Sequence, residues 1–381
     1  MARRVRMVVA SMAATLAVVG MATGAGAVPP ISFAPAVNSP TGSSFGPGPG
    51  AETTVVADLD GDGRPDVVVT DFATTTPKAM RNLGGGHFGP AQALPASSGV
   101  LSIATGDFNG DGKADIVGRS TYSVALWTGN GDGTFALAQT IQSAGNAQPA
   151  IAVGDVDGDG HPDVVTTTVT GFQVFRGNGT ALVAGPSTAA YGVLSDIAIG
   201  NFNGDGHRDV VVVDATPFAQ KARIYLGNGD GTFTAGGSGS TSYGPEAAMV
   251  GDLNNDGIDD VVTADSFSAI NIPPQFSITV FLSDGHGGFA STKVYPTANG
   301  PVSGAIGDLN GDGNKDAVVS GVVGNALAVY ANAGTGSLTQ ITVPAVASAP
   351  QTPAIADLDG DGRPDIAVPG VSQLSVLLNR S

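Results

Sequence analysis

The sequence predicts an all-β fold: a seven-bladed β-propeller with four-stranded antiparallel blades, the last blade closed by an N-terminal strand. Three observations predict it. An acidic nine-residue loop recurs seven times, beginning at residues 58, 107, 155, 201, 252, 308 and 357, and a period near fifty residues marks a repeat architecture. Short apolar runs rich in β-branched residues flank the loops, which reads as buried strands without helical periodicity. The seventh unit stops before its fourth strand, and a segment near the N-terminus resembles the missing piece.

Residues 1–27 read as a secretory signal, not as structure. Arg3, Arg4 and Arg6 form a basic start, residues 7–22 are mostly apolar, and Ala25-Gly26-Ala27 offers a cleavage site. The mature chain is expected to begin at Val28, to be secreted, and to form one domain over 28–381. No other run is long and apolar enough to span a bilayer, so no membrane contact is expected after cleavage. The chain contains no cysteine. That excludes thiol chemistry, disulfides and a lipidated cysteine.

Within each unit the strands follow in order. A first strand precedes the loop, as in Ile151-Ala-Val153, Ile197-Ala-Ile199 and Ala248-Met-Val250. A second follows it, as in Val67-Val-Val69, Val164-Val165 and Val261-Val262. The third carries an aromatic in most units: Trp127, Phe175, Tyr225, Phe281 and Tyr330. These aromatics are expected in the core between blades. A glycine-rich turn then leads to a more polar fourth strand, opened by Phe88, Phe135, Phe233 or Phe289. Four strands per unit around a ring make a propeller. Residues 33–37, beginning at Phe33, resemble the fourth strand that begins at Phe88, so they are expected to cover the open edge of the last blade.

Oxygen-bearing side chains fall at loop positions 1, 3, 5 and 9. They are Asp58, Asp60, Asp62 and Asp66 in the first loop, and Asp107, Asn109, Asp111 and Asp115 in the second. The third has Asp155, Asp157, Asp159 and Asp163, and the fourth Asn201, Asn203, Asp205 and Asp209. The fifth has Asp252, Asn254, Asp256 and Asp260, the sixth Asp308, Asn310, Asp312 and Asp316, and the seventh Asp357, Asp359, Asp361 and Asp365. A glycine at position 6 lets the chain turn sharply, and a hard cation such as Ca²⁺ collects oxygens in this way. These positions hold 23 of the 33 acidic residues. The acidity is therefore concentrated in the loops, and it argues against nucleic acid as a partner. Loss of the three signal arginines takes the net charge from −17 to −20, and seven divalent ions would bring it to −6.

The repeated loop D-x-[DN]-G-D-G-x-x-D between β-strands resembles the FG-GAP/VCBS repeat, found in the N-terminal propeller of integrin α subunits and in bacterial secreted proteins. The resemblance covers roughly residues 31–381. It implies that each loop binds one Ca²⁺, up to seven in all, through the side chains at positions 1, 3, 5 and 9. The carbonyl at position 7 would complete each set: Arg64, Lys113, His161, His207, Ile258, Asn314 and Arg363. The fourth loop, with two carboxylates, is the doubtful site. The fifth departs at position 4, where Asn255 replaces glycine. Carboxylate count ranks the first, third and seventh loops as the tightest.

No catalytic constellation stands out. The four histidines lie in loops or turns of different blades, and no nucleophile elbow or zinc-protease motif occurs. Asp71, Asp214 and Asp265, just after second strands, read as turn residues, and Asp132 and Asp230 as hairpin residues of a type that tolerates left-handed conformations. The face opposite the loops is the place for a partner, a protein or a glycan, and its longest connection runs over residues 265–276, with Phe267, Ile270, Ile272, Pro273 and Pro274. A shorter one carries Phe218 and Lys221. The reading is a secreted, monomeric, calcium-binding interaction module. A lectin and a polysaccharide lyase or hydrolase are the alternatives.

Overall fold

Six repeats lay down four strands whose pairing partners lie next to them in sequence, so six blades close locally as antiparallel meanders; the seventh lays down three and takes its fourth from the N-terminal segment. The computed structural model describes residues 29–42, 51–71, 75–96, 99–143, 150–217, 220–242, 244–269, 272–321, 323–341 and 345–381. The expectations for residues 1–28, Phe218 and Ile270, and for the side chains of Asp71, Phe267, Ile272, Pro273 and Pro274, lie outside the described residues. Among the described residues there is no helix, and so none long and apolar enough to cross a membrane.

Seven four-stranded sheets are present. Blade 3 is representative: Ile151–Gly154, Asp163–Thr168, Gly171–Gly177 and Leu182–Ala189 pair in that order. First strands of successive blades touch one another, and the first strand of blade 7, Ala354–Ala356, meets that of blade 1, Ala51–Ala57, which closes the ring. The second strand is buried along its whole length in blade 3 because both of its faces meet neighbouring blades, whereas the outer strand is largely exposed.

The core is a ring of apolar clusters between blades. One joins blades 1, 2 and 3 around Trp127 and Phe175. Others join each following pair, and the last sets Val67, Met80 and Phe88 of blade 1 against Leu374, Val376 and Leu378 of blade 7. The third-strand aromatics are core residues, as expected. Phe172 of blade 3 meets Tyr225 of blade 4 edge-on, with ring centroids 5.2 Å apart, a favoured geometry for aromatic pairs.

The closing strand is present, but its ladder begins at the end of the expected segment 33–37 and runs beyond it. Val37–Pro40 pairs antiparallel with Gln373–Leu377, and Phe33 bridges Asn379. Phe33 thus occupies the place that Phe88 takes opposite Asn82. The 265–276 connection differs from expectation. It is a hairpin, in which Asp260–Ala269 and Ile272–Ser283 stay paired from Val261↔Phe281 out to Ala269↔Ile272. Backbone pairing carries the two strands beyond the blade, where a loop was expected.

Candidate metal centres

The loops connect first to second strands, at the same end of the ring as the turns between third and fourth strands. Three features shape every loop. The side chain at position 2, an apolar residue such as Leu59, Phe108 or Phe202, is buried and anchors the loop to the core. The position-5 carboxylate accepts the N–H of position 7 in all seven loops, from Arg64→Asp62 at 2.9 Å to Arg363→Asp361 at 2.9 Å. The position-9 carboxylate is fully buried in every blade.

Position 9 has a role that the sequence did not reveal. One oxygen accepts the N–H of position 2, and the other accepts the N–H that ends the third strand. In blade 1 these are Leu59 at 3.0 Å and Asn82 at 2.7 Å. The same pair of bonds recurs for Asp115, Asp163, Asp209, Asp260, Asp316 and Asp365. A carboxylate has about four lone-pair sites, so capacity for a cation remains. Burial pushes Asp163, Asp260, Asp316 and Asp365 up to about 6, although their N–H partners oppose the shift. Asp66, Asp115 and Asp209 are raised by the same cause.

The oxygens converge in three loops. Ligand atoms of Asp58, Asp60 and Asp62 lie within 4.8 Å of one another, as do those of Asp155, Asp157 and Asp163 and those of Asp357, Asp359 and Asp361. An ion with metal–oxygen distances of about 2.3–2.6 Å can touch oxygens at such separations. The donor set is all oxygen, which suits a hard cation and not zinc. The residues therefore fit Ca²⁺. The other four loops carry the same fold with Asn at position 3.

The two departures have different consequences. In the other six loops the position-1 carboxylate accepts the N–H of glycine 6, as Asp155 does from Gly160 at 2.9 Å. Asn201 has one acceptor oxygen, which takes Gly204 N–H at 2.8 Å. The fourth loop thus has fewer carboxylates and shows no bond from position 1 to glycine 6. In the fifth, Asn255 adopts φ 60°, the left-handed conformation that glycine has in the other loops. Asparagine tolerates it better than most residues, so this loop keeps its shape.

Other expected residues find structural roles. The His161 and His207 rings lie over the turn glycines Gly179 and Gly229 of their own blades, where a Cβ would come within 2.7 and 2.5 Å of them. Asp214 and Asp265 are buried strand residues, although Asp214 also accepts Thr216 N–H at 2.9 Å and so caps the turn after it. Asp214 accepts Val193 N–H at 3.1 Å and pairs with Arg223 at 2.8 Å. Asp265 accepts the hydroxyls of Thr263 and Thr279 and is pushed up to about 7 by burial. Asp132 and Asp230 are not left-handed. Their flanking glycines take positive φ, while each aspartate caps the following threonine N–H at 2.9 Å.

Fold and loops together define a seven-bladed repeat propeller with an acidic loop in every blade. The FG-GAP-like repeat matches residues 58–118, 107–166, 201–263 and 317–368, more than half of the chain. The chain belongs to the FG-GAP repeat family. No curated protein sequence matches it. Among solved structures it is similar to an Agrocybe aegerita lectin, described for specific recognition of non-reducing terminal N-acetylglucosamine. The TM-score is 0.53 at 20% identity, covering 76% of this chain and 79% of that one. It is also similar to BBS1N in complex with ARL6DN, soaked with lead, with a TM-score of 0.60 at 11% identity, covering 91% and 96%. At these identities the likeness is one of fold.

Proposed function

We propose that this protein is a secreted calcium-binding propeller that presents the face opposite its metal loops to a protein or glycan partner. The convergence of three acidic side chains in each of three loops carries the calcium reading. Ca²⁺ would neutralise these carboxylates and cross-link each loop. The chain's own residues preform the sites, because backbone N–H groups already hold the carboxylates at positions 1, 5 and 9.

The interaction reading is supported by the opposite face. Tyr122 and Val169, in turns between second and third strands of blades 2 and 3, are exposed. Tyr191 and Val193, in the connection from blade 3 to blade 4, are exposed at the same end, Tyr191 by 86%. Exposed apolar side chains grouped at one end of a rigid scaffold are a common basis for recognition. Replacing Tyr122 and Tyr191 with serine should leave the fold intact and abolish partner capture. Capture unchanged in that variant would move the partner elsewhere.

A second reading, carbohydrate binding, is favoured by the likeness to the fungal lectin. A glycan array with the mature protein, run with calcium and with chelator, separates the two. Glycan binding at this same face supports the lectin; no glycan binding leaves the protein-partner reading.

A further inference from the structure

One slot at every blade interface carries either arginine or a neutral residue, and in blades 1 to 6 the choice follows the loop beside it. The slot is the residue just before the one whose N–H binds the position-9 carboxylate. It holds Arg81 in blade 1, Thr128 in blade 2, Arg176 in blade 3, Leu226 and Leu282 in blades 4 and 5, Ala331 in blade 6 and Leu378 in blade 7. Leu226 and Leu282 lie over turn glycines of the next blade, where a Cβ at Gly287 or Gly336 would come within 2.7 or 2.5 Å of them. Arg81 and Arg176 lie over the corresponding glycines, Gly133 and Gly231, and donate to the carbonyls of Asp132 and Asp230.

Each slot arginine also faces the position-3 carboxylate of its own loop. Arg81 Nε is 3.6 Å from Asp60 Oδ2, and Arg176 Nε is 3.4 Å from Asp157 Oδ2. In blade 7, where Leu378 fills the slot, Arg380 reaches Asp359 Oδ2 at 3.3 Å instead, and Asp361 Oδ2 at 3.6 Å as well. These are the three loops with aspartate at position 3. In the other four, position 3 is asparagine and the slot is neutral. In three of those, the amide of Asn203, Asn254 or Asn310 itself donates to the position-5 carboxylate, at 2.8, 2.8 and 3.2 Å. Asparagine thus brings its own donor, whereas aspartate brings a charge that the neighbouring arginine offsets.

We propose that Arg81, Arg176 and Arg380 set the cation affinity of their loops by cancelling the extra carboxylate at position 3. The proposal rests on the reading of the loops as calcium sites. Affinity in such loops depends on ligand charge count, and the arginine belongs in that count. The first, third and seventh loops then bind no more tightly than the three-carboxylate loops, which overturns the ranking by carboxylates alone. The position-3 carboxylate presents one oxygen to the arginine and keeps the other toward the loop, where Asp60 Oδ1 accepts Asp62 N–H and Asp157 Oδ1 accepts Asp159 N–H, both at 3.3 Å.

The third loop tests this cleanly, because its position 7 is a histidine and not a second arginine. Arg176→Leu places in blade 3 the residue that blades 4 and 5 already use at the slot. Hydrogen exchange of the 155–163 amides across a calcium titration reads the occupancy of this loop alone. Arg176→Leu should lower its half-saturation concentration about two- to fivefold, consistent with a partly exposed ion pair. In the Asp157→Asn background the same change should shift it less than twofold. An unchanged or higher half-saturation in the single variant overturns the proposal. Melting in EDTA separates this from a failure of the calcium reading. If the wild-type loop shows no calcium response, that reading falls. The charge pairing then stands if Arg176→Leu lowers the metal-free melting temperature only when Asp157 is present, and falls if the loss is equal in both backgrounds.

Discussion

The N-terminal clasp yields a quantitative test through Ile31. This side chain is buried, 8% exposed, among Leu309, Val329 and Leu377 at the junction of blades 6 and 7. Ladder contacts continue from it: Arg380 N–H to Ser32 carbonyl at 2.8 Å, Ala34 N–H to Leu378 carbonyl at 2.9 Å, and Thr41 N–H to Ser372 carbonyl at 3.0 Å. Truncating a buried isoleucine to alanine costs about 2–5 kcal/mol. Ile31 lies near an edge that relaxes easily, so we take the low end, about 2 kcal/mol. The segment opens as a local unit, so the loss falls on its own opening equilibrium. A loss of about 2 kcal/mol is a factor of roughly thirty. Ile31→Ala should therefore lower amide protection at Ala34, Thr41 and Arg380 by about thirtyfold. Protection in blades 2 to 5 should stay as it is. The freed edge of Gln373–Leu377 should also promote self-association. Hydrogen exchange with fragment resolution makes the measurement. The reasoning is refuted if Ala34 and Thr41 in the unaltered protein already exchange like a free peptide, or if Ile31→Ala lowers protection uniformly around the ring.

Three further outcomes are expected. Asp260→Ala should cost about 2–5 kcal/mol in denaturant titrations even in EDTA, because the Leu253 and Ser283 N–H groups both lose their buried acceptor; Asp256→Ala, at an exposed position, should cost little without metal. Asp265, pushed up to about 7 by burial, keeps its proton in the folded chain while the unfolded chain releases it above its ordinary 3.8, so stability falls as pH rises through that window; Asp265→Asn should be stabilising by up to about 4 kcal/mol at pH 8 and near neutral at pH 4, and equal effects at both pH values would refute the assignment. Calcium at about tenfold its Kd should add about 1.4 kcal/mol per site, so verified removal of metal should lower the melting temperature markedly, and an unchanged melting curve would sink the calcium reading.

The sequence by itself determined the architecture. Apolar β-branched runs, loop spacing and glycine turns are local patterns, and six of the seven blades are local meanders, so the blades could be read without knowing how they meet. The closing strand was legible too, because Phe33 repeats a pattern that recurs in other units. What only the tertiary structure decided lies between segments far apart in the chain. Asp66 bonds Leu59 within its loop but also Asn82 at the end of the third strand, so a residue read as a ligand is equally the keystone of the blade. Asp214 and Asp265 look like turn residues in sequence because burial depends on the neighbouring connections that cover them. The pairing of Asp157 with Arg176, and of Arg176 with the turn of blade 4, joins three stretches of two repeats. Local propensity carries no record of such contacts: the ring brings them together only once every blade has folded.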